Sequence, residues 1–333
     1  MLRSPIPLLA LALVYALGCE ADRPADTPEG LGASGSPREE APFWPDPGPD
    51  AVPKVLVFGV DGVRPDVLAE VETPNLDALA TAGSFSDEAT TRAPTVSGPG
   101  WSSMLTGVWP EKHGVLSNDF ASNRYADYPD FLTRIEKVRP ELRTFVAADW
   151  LSLVREEDGG PLISDAVDHK VVLDGYEMGW PQADSLVVAA AVEEIQRGDP
   201  DALFVYVGTP DEISHETEGI GEAYREAIAT ADDQLGGLVR ALRNRTTFHE
   251  ESWLVLVSTD HGRTAEGSHG GESPEETTIF FLASGPGAVR GGPLAPPAIV
   301  DVAVTALAHL GIPVDPEWEL DGEAVALGGS TSP

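Results

Sequence analysis

Six acidic and histidine side chains stand at or near the ends of apolar runs, where buried strands would meet loops. They are Asp61, Asp211, His215, Asp260, His261 and His269. Carboxylate oxygens and imidazole nitrogens are ligands that zinc-like ions accept, so three of each suffice for two metal sites. A single Asp at a strand end often only caps a turn, and a single His is usually a surface residue. The prediction of two divalent metal ions therefore depends on the whole set.

Two local features favour convergence of these groups on a metal. Asp211 and His215 are four residues apart, so one helical turn places them on the same side. His269 precedes Gly270 and Gly271, which let the backbone approach a site closely.

A candidate nucleophile lies in the segment 94–107 (PTVSGPGWSSMLTG). Ser97 would lie at the start of a helix, where free N–H groups and the helix dipole favour an anion. A bound metal ion would lower the pKa of its hydroxyl and supply an alkoxide. Ser is also a favoured helix N-cap, a role that is compatible with catalysis. His113 follows the same helix and has an intermediate context, which is more than the other unassigned histidines have.

The elements that must position these residues alternate along the chain between strands and helices. Apolar, β-branched runs predict strands at 54–60, 143–148, 202–207, 253–258 and 277–283. Helical patterns cover 64–82 (two short helices), 97–106, 181–197, 218–243 and 297–311. This alternation predicts one α/β domain, residues 54–328, with a mostly parallel sheet covered on both faces. Ligands of such sheets gather beyond the carboxyl ends of the strands, so the strand-end acids should face one crevice.

Composition excludes several classes of protein. The 333 residues carry 21 Lys and Arg against 55 Asp and Glu, a net charge of −34. This charge argues against binding of nucleic-acid phosphates and of anionic lipid surfaces. The single cysteine, Cys19, excludes an intramolecular disulfide framework and a multi-cysteine metal site.

The amino terminus reads as a targeting segment. Arg3 precedes an apolar run, residues 8–17, that is too short to span a bilayer as a helix. The end of the run, Ala16 to Cys19, resembles a bacterial lipoprotein signal, in which the cysteine becomes the lipidated first residue. We therefore predict a signal peptide over 1–18 and lipid attachment at Cys19. An ordinary secretory signal with a chance cysteine is the alternative.

Residues 19–53 are rich in Pro and acidic side chains and lack periodic apolar residues. This composition predicts an extended tether. Behind a lipid anchor, the tether would hold an exported domain off the outer membrane, in the periplasm or at the cell surface.

Several motifs occur in an order that resembles a known family. They are Val60-Asp61-Gly62, the segment from Thr95 to Gly107, Pro110 to Gly114, Pro210-Asp211-x-x-x-His215, Thr259 to Gly262, His269-Gly270 and Leu320-Asp321-Gly322. Residues 54–325 resemble the alkaline phosphatase superfamily, and within it most closely the type I phosphodiesterase/nucleotide pyrophosphatase branch. The resemblance implies a three-layer α/β/α sandwich, two Zn²⁺ ions and a covalent phospho-enzyme.

The resemblance also assigns roles by position. Asp211, His215 and His269 match the ligands of one metal ion. Asp61, Asp260 and His261 match those of the other, which also binds the nucleophile. The family's nucleophile stands ten residues before the Gly of a Thr-Gly pair, and counting back from Gly107 gives Ser97. Thr95 remains the alternative nucleophile.

Departures from the family pattern concern the substrate. Gly98 and Gly100 stand where the family that this chain resembles has a bulky base-stacking residue and a phosphate-binding Asn. These glycines predict an open pocket with Trp101 as an apolar wall. The segment lacks the Arg needed to convert the nucleophile position to formylglycine, which argues against a sulfatase. Three basic residues could supply charge over the site: Arg64, Lys112 and Arg263.

The leading hypothesis is a two-metal phosphodiesterase for a small phosphate ester, acting through a phosphoseryl intermediate at Ser97. A sulfatase-like enzyme, a phosphomonoesterase or a phosphonate hydrolase of the same superfamily is the first alternative. A non-catalytic surface-binding lipoprotein on this fold is the second. Such a binder would not need six metal ligands and a serine together.

Overall fold

A computed structural model describes residues 42–328 except 47, 293 and 294. The predicted signal peptide, Cys19 and most of the tether lie outside the described residues. The strands are β1 (Val52–Val60), β2 (Ser84–Thr90), β3 (Thr144–Ala148), β4 (His169–Val172), β5 (Ala202–Val207), β6 (Glu251–Ser258) and β7 (Thr278–Ser284).

Helices connect these strands. They are α1 (Pro65–Leu68), α2 (Pro74–Ala82), α3 (Ser97–Thr106), α4 (Pro110–His113), α5 (Phe131–Val138), α6 (Leu151–Val154), α7 (Gly175–Met178), α8 (Trp180–Arg197), α9 (Thr209–Thr217), α10 (Glu222–Arg243), α11 (Pro274–Thr277) and α12 (Asp301–His309). Short 3₁₀ helices span Phe248–Glu250 and Pro316–Trp318. In the described part of the chain, no helix combines the length and the apolar character needed to cross a bilayer.

The strands form one seven-stranded sheet in the order β2-β7-β6-β1-β5-β3-β4. The five strands from β6 to β4 are parallel, and β7 is antiparallel to both of its neighbours. This arrangement confirms the predicted mostly parallel α/β sheet. It also places β1 between β5 and β6, so that the carboxyl ends of these three strands open side by side.

Alternation along β1 shows why the sheet has helices on both faces. Val55 and Val57 join one apolar cluster, which also contains residues of α3, α5 and α12. Leu56 and Phe58 join a second cluster with residues of α2, α8 and α10. Successive side chains of a strand point to opposite faces, so a continuous apolar run requires a cover on each. The result is a three-layer α/β/α sandwich.

The structure differs from the sequence-based prediction at two edge strands, at the start of one helix and at Trp44. The edge strands β2 and β4 were not predicted, because their half-exposed sequences lack the continuous apolar run of a central strand. The predicted helix over 218–243 begins later, as α10 at Glu222, because Glu218, in the left-handed region at a φ of 51°, ends the separate helix α9. Trp44, which the sequence places in the tether, is buried, and its Nε1 donates to Ser284 Oγ at 2.8 Å.

The carboxyl-terminal segment forms hydrogen bonds with the turn that follows α3. Asp321 accepts a hydrogen bond from the backbone N–H of Trp109 at 2.9 Å and pairs with Lys112 Nζ at 2.6 Å. Its own N–H donates to the carbonyl of Gly107 at 2.9 Å. The expectation that Lys112 could supply charge to the site is therefore wrong, because Lys112 is engaged in this contact.

His113, at the end of α4, is a structural histidine. Its ring is fully buried, its Nδ1 accepts the N–H of Val115, and its Nε2 lies 3.1 Å from Ser103 Oγ. Burial disfavours the charged imidazolium and lowers the pKa of His113 from 6.5 to about 4.

We expect His113 to destabilise the fold at acidic pH. Below pH 6.5 the unfolded chain binds a proton that the folded chain does not bind until about pH 4. The contribution of the neutral His113 to the free energy of unfolding is complete above pH 6.5. It falls by roughly 3 kcal/mol as the pH falls to about 4. Denaturant unfolding at pH 6.5 and at about pH 4 should show a smaller loss of unfolding free energy in His113→Gln than in the wild type. An equal loss in the variant and the wild type would contradict this role.

Candidate active site

The carboxyl ends of β1 and β6 bring one group of predicted ligands together with the candidate nucleophile. His261 Nε2 lies 3.3 Å from Asp260 Oδ2 and 3.7 Å from Asp61 Oδ1. Ser97 Oγ lies 3.3 Å from the same nitrogen. Asp61, Asp211 and His261 each offer a ligand atom within 4.8 Å of the others. Ser97 therefore lies beside this group.

The second group forms around α9, which follows β5. His215 Nε2 lies 3.1 Å from Asp211 Oδ2, one helical turn away, and 2.9 Å from His269 Nε2. Asp211, His215 and His269 also offer ligand atoms within 4.8 Å of one another. The structure thus brings all six predicted ligands to one edge of the sheet, in two groups that meet at Asp211.

The unpaired atoms of these residues fit metal cations. Asp61 Oδ1 and Asp260 Oδ2 are buried and have no hydrogen-bond partner. His261 Nδ1 donates to the carbonyl of Gly262 at 2.9 Å, and His269 Nδ1 donates to that of Thr95 at 2.8 Å. Each Nε2 is then unprotonated and directed into the site, as in a metal-binding imidazole. Two divalent cations would satisfy these atoms.

The electrostatics of the group also favour bound cations. Burial raises the pKa of Asp61 well above its usual value, and the charges of Asp260 and Asp211 raise it further. Burial and then the charge of Asp211 raise the pKa of Asp260 to about 7. Burial lowers the pKa of His261, so this imidazole is neutral, the form that binds a metal ion. Close carboxylates of this kind require positive charge to remain ionised together.

Arg263 forms an ion pair with Asp211 outside the pocket lining. Its side chain is fully buried, its Nε donates to the carbonyl of Gly62 at 2.9 Å, and its Nη2 pairs with Asp211 Oδ1. Burial alone would raise the pKa of Asp211, but the charge of Arg263 and the hydrogen bond of His215 outweigh it and hold that pKa below its usual range. Arg64 donates to the Arg263 carbonyl and pairs with Asp66.

A pocket opens beside the two ligand groups. Its lining is Asp61, Ser97, Asn118, Trp150, Tyr176, Trp180, Tyr206, Asp211, Glu212, His215 and His269. Among the described residues, this lining contains no Lys or Arg. The expectation that Arg64 or Arg263 could extend over the substrate is therefore wrong.

Trp101 does not form the predicted apolar wall. It is fully buried and donates from Nε1 to Asp61 Oδ2 at 2.9 Å, and the Tyr206 hydroxyl donates to the same oxygen at 2.8 Å. These two donors orient Asp61. The aromatic lining comes instead from Trp150, Tyr176 and Trp180.

The two glycines after Ser97 allow close packing and do not widen the pocket. A Cβ at Gly98 would lie 2.3 Å from the Ser117 carbonyl oxygen. A Cβ at Gly100 would lie 2.9 Å from the Asp260 Cβ. Both positions therefore exclude larger side chains.

Asn118 also lines the pocket, although nothing in the sequence marks it as a site residue. Its Oδ1 accepts the N–H of Gly98 at 2.8 Å, which leaves its side-chain N–H₂ as a donor beside Ser97. Asn118 belongs to the loop after α4, and no spacing in a single sequence ties that loop to Ser97.

The geometry favours Ser97 over Thr95 as the candidate nucleophile. Ser97 is the first residue of α3, and Val96 holds the N-cap position. Thr95 Oγ1 donates to the Gly271 carbonyl at 2.9 Å and accepts the N–H of Gly270 at 3.0 Å. Thr95 therefore holds the loop of His269, whereas the Ser97 hydroxyl faces the pocket.

The sheet order and the candidate ligand groups at its carboxyl edge are those of an alkaline-phosphatase-like fold. A family model described as type I phosphodiesterase / nucleotide pyrophosphatase matches residues 55–184 and 163–272, more than half of the chain. The protein belongs to the type I phosphodiesterase/nucleotide pyrophosphatase family.

Individual relatives are distant. The chain is 25% identical over 219 residues to ectonucleotide pyrophosphatase/phosphodiesterase family member 3 of Rattus norvegicus, covering 63% of this chain and 25% of that protein. The chain thus spans about a quarter of the length of that curated relative.

Two solved structures share the fold. Murine ectonucleotide pyrophosphatase/phosphodiesterase 5 superposes with a TM-score of 0.63 at 15% identity, covering 79% of this chain and 96% of that one. A 2-O GAG sulfatase superposes with a TM-score of 0.64 at 15% identity, covering 82% of this chain and 73% of that one.

Proposed function

We propose that this protein is a two-metal phosphodiesterase that acts on small phosphate esters through a phosphoseryl intermediate at Ser97. The observation that carries the proposal is the placement of Ser97 Oγ 3.3 Å from His261 Nε2, beside buried carboxylate oxygens that have no partner. The family match supports a phosphoric-ester hydrolase.

The two residue groups would hold the metal ions, which we propose to be Zn²⁺ because the ligands are mixed carboxylate and imidazole. Asp61, Asp260 and His261 form the group beside the nucleophile. Asp211, His215 and His269 form the other. When bound, the ions neutralise phosphate charge and lower the pKa of a coordinated hydroxyl or water.

The chain's own groups then carry the reaction. Ser97 Oγ gives up its proton to solvent and attacks phosphorus. The new P–O bond replaces the bond to the leaving ester oxygen, which departs with the electron pair and takes up a proton from solvent. The Asn118 side-chain N–H₂ offers a hydrogen bond to a phosphoryl oxygen. Attack of water on the phosphoserine then releases the product and restores Ser97.

The pocket favours a diester over a monoester. A monoester is close to a dianion at neutral pH, and enzymes that bind it usually place an Arg beside the phosphate. The described pocket lining has no Lys or Arg, and the chain carries a net charge of −34. A diester has one negative charge, which the proposed ions neutralise without further help.

We expect the zinc-loaded protein to hydrolyse a nitrophenyl phosphodiester with a higher kcat/KM than the nitrophenyl monoester. The assay is run at saturating metal, with nitrophenyl phosphonate and nitrophenyl sulfate as parallel substrates. A tenfold preference for the monoester, about 1.4 kcal/mol, would place the enzyme on the phosphatase side of the superfamily. A preference for sulfate or phosphonate would support the first alternative function. Absence of both turnover and bound metal would support the non-catalytic alternative.

We further propose that the enzyme is exported and held at a membrane by lipid on Cys19. The segment Ala16 to Cys19 supports this proposal through its lipoprotein-like pattern. The acidic surface would keep the domain away from anionic headgroups, so the anchor would provide the attachment.

A further inference from the structure

The strand β3 also ends in an acid at the carboxyl edge of the sheet, and this acid belongs to neither ligand group. Asp149 follows β3 directly, β3 is parallel to β5, and the Asp149 side chain is fully buried. Asp184 of α8 is buried as well, at 1% exposure. Neither residue is among the candidate metal ligands. Two buried carboxyl groups outside the metal groups need a charge balance of their own.

Hydrogen bonds from the backbone satisfy only one of these two carboxyl groups. Asp184 Oδ1 accepts the N–H of Gly208 at 3.0 Å, and its Oδ2 accepts the N–H of Thr209 at 3.2 Å. Both side-chain oxygens of Asp149 lack a hydrogen-bond partner among the described residues, and in the same part of the chain neither carboxyl group forms an ion pair with a Lys or Arg. Ionised carboxylates only accept hydrogen bonds, so a proton on Asp149 would supply the missing donor.

The electrostatics place that proton on Asp149. Burial raises the pKa of Asp149, and the negative charge of Asp184 raises it further, to about 10. Burial also raises the pKa of Asp184, but its two backbone N–H donors favour the ionised form. The other titratable groups that face Asp149 are Glu212 of α9, whose charge acts in the same direction, and Tyr206 of β5, whose pKa burial also raises. None of these groups brings a positive charge.

The two acids connect the segments that surround the start of α9. The backbone carbonyl of Asp149 accepts the N–H of Gly175, at the start of α7, at 2.8 Å. Asp184 bonds from α8 to the backbone where α9 begins. Helix α9 carries Asp211 and His215, two members of one ligand group. The position of this group therefore depends on the acceptor that Asp184 provides.

We propose that Asp149 and Asp184 share one proton as an acid–carboxylate pair, and that this pair positions the start of α9 and the candidate metal ligands Asp211 and His215. Asp149 is the donor of the pair and Asp184 the acceptor, and both are positioning residues. The inference goes beyond the proposed phosphodiesterase function, because it concerns the protonation and the role of two buried acids, whichever ester the site cleaves.

Unfolding of the full chain should release the shared proton. The folded chain holds it up to about pH 10, whereas an unfolded Asp releases it near the ordinary value of 3.8. The stabilisation is therefore complete below pH 3.8 and is lost as the pH rises towards about 10. Asp149→Asn keeps the shape and a donor but binds no proton.

Denaturant unfolding between these two pH values measures the release. We expect the unfolding constant of the wild type to rise more steeply with pH than that of Asp149→Asn, by about one additional factor of ten per pH unit, as one released proton requires. The matched control Glu177→Gln removes an exposed acid of α7 and should keep the wild-type pH dependence.

Infrared spectra of the zinc-loaded full chain report the proton directly. At neutral pH we expect a C=O band of a protonated carboxylic acid that disappears in Asp149→Asn. Zinc titration tests the positioning role. Asp184→Asn and Asp149→Leu, which remove the acceptor and the donor, should each weaken the binding of one zinc ion by at least about tenfold. Asp149→Asn, whose amide still donates, should restore most of the affinity that Asp149→Leu loses.

Three results would contradict the proposal. Equal pH dependence of unfolding in the wild type and Asp149→Asn, with no acid band lost in the variant, would overturn the shared proton. A third bound cation per chain that Asp149→Asn loses would also overturn it, because a cation would then balance the two carboxylates. Unchanged zinc affinity in both Asp184→Asn and Asp149→Leu would overturn the positioning role. A wild type that cleaves no phosphate ester would refute only the proposed function, since unfolding and infrared spectra need no turnover.

Discussion

Ser97→Ala is expected to abolish turnover of phosphodiesters, with a loss of at least about a thousandfold in kcat. The substitution removes the pocket-lining hydroxyl that lies beside His261 Nε2, and with it the atom that would bond to phosphorus. The six proposed metal ligands remain, so bound metal should stay near the wild-type value. Steady-state rates with a nitrophenyl diester and metal analysis of the same preparation measure both quantities.

Thr95→Val is the companion variant. It removes a hydroxyl whose hydrogen bonds go to Gly270 and Gly271, so we expect a smaller loss that comes from a displaced His269 loop. Trapping the phospho-enzyme at low pH and mapping the modified residue should give Ser97. An active Ser97→Ala with an inactive Thr95→Val would assign the nucleophile to Thr95.

Replacement of a metal ligand should produce the second large effect. Asp211→Asn and His269→Ala each alter the group of Asp211, His215 and His269, so we expect bound metal to fall from about two ions per chain to about one. Activity should fall by at least about a hundredfold, and a chelator should inactivate the wild type. Asp211→Asn also leaves the buried charge of Arg263 without its partner, which should lower the free energy of unfolding.

His249→Ala is the matched control, because His249 is exposed and remote from both groups. It should retain both ions and full activity. Retention of two ions by both ligand variants would refute the assignment of this group. Loss of metal from His249→Ala would show that metal content falls through loss of stability and not through loss of a ligand.

The central strands and their polar ends could be predicted because they have strong local signals. A strand buried on both faces must be apolar throughout, so β1, β5 and β6 appear as unbroken runs, and Asp61 and Asp260 are conspicuous after them. Alternating strands and helices then require a parallel sheet, whose carboxyl ends share one edge. For this reason the sequence alone places the six candidate ligands and Ser97 at one edge of an α/β domain.

The environment of these groups depends on contacts between residues that are distant in the chain. Asn118 reaches the N–H of Gly98 only through the fold of the loop after α4. Trp101 and Tyr206 meet on one oxygen of Asp61, and Arg263 lies behind Asp211 instead of over the substrate. Side chains such as these carry no periodicity or spacing that marks their partners. The sequence therefore determined the types of the candidate ligands. Tertiary packing decided the pocket lining without Lys or Arg and its aromatic wall, because these depend on which loops meet above the sheet.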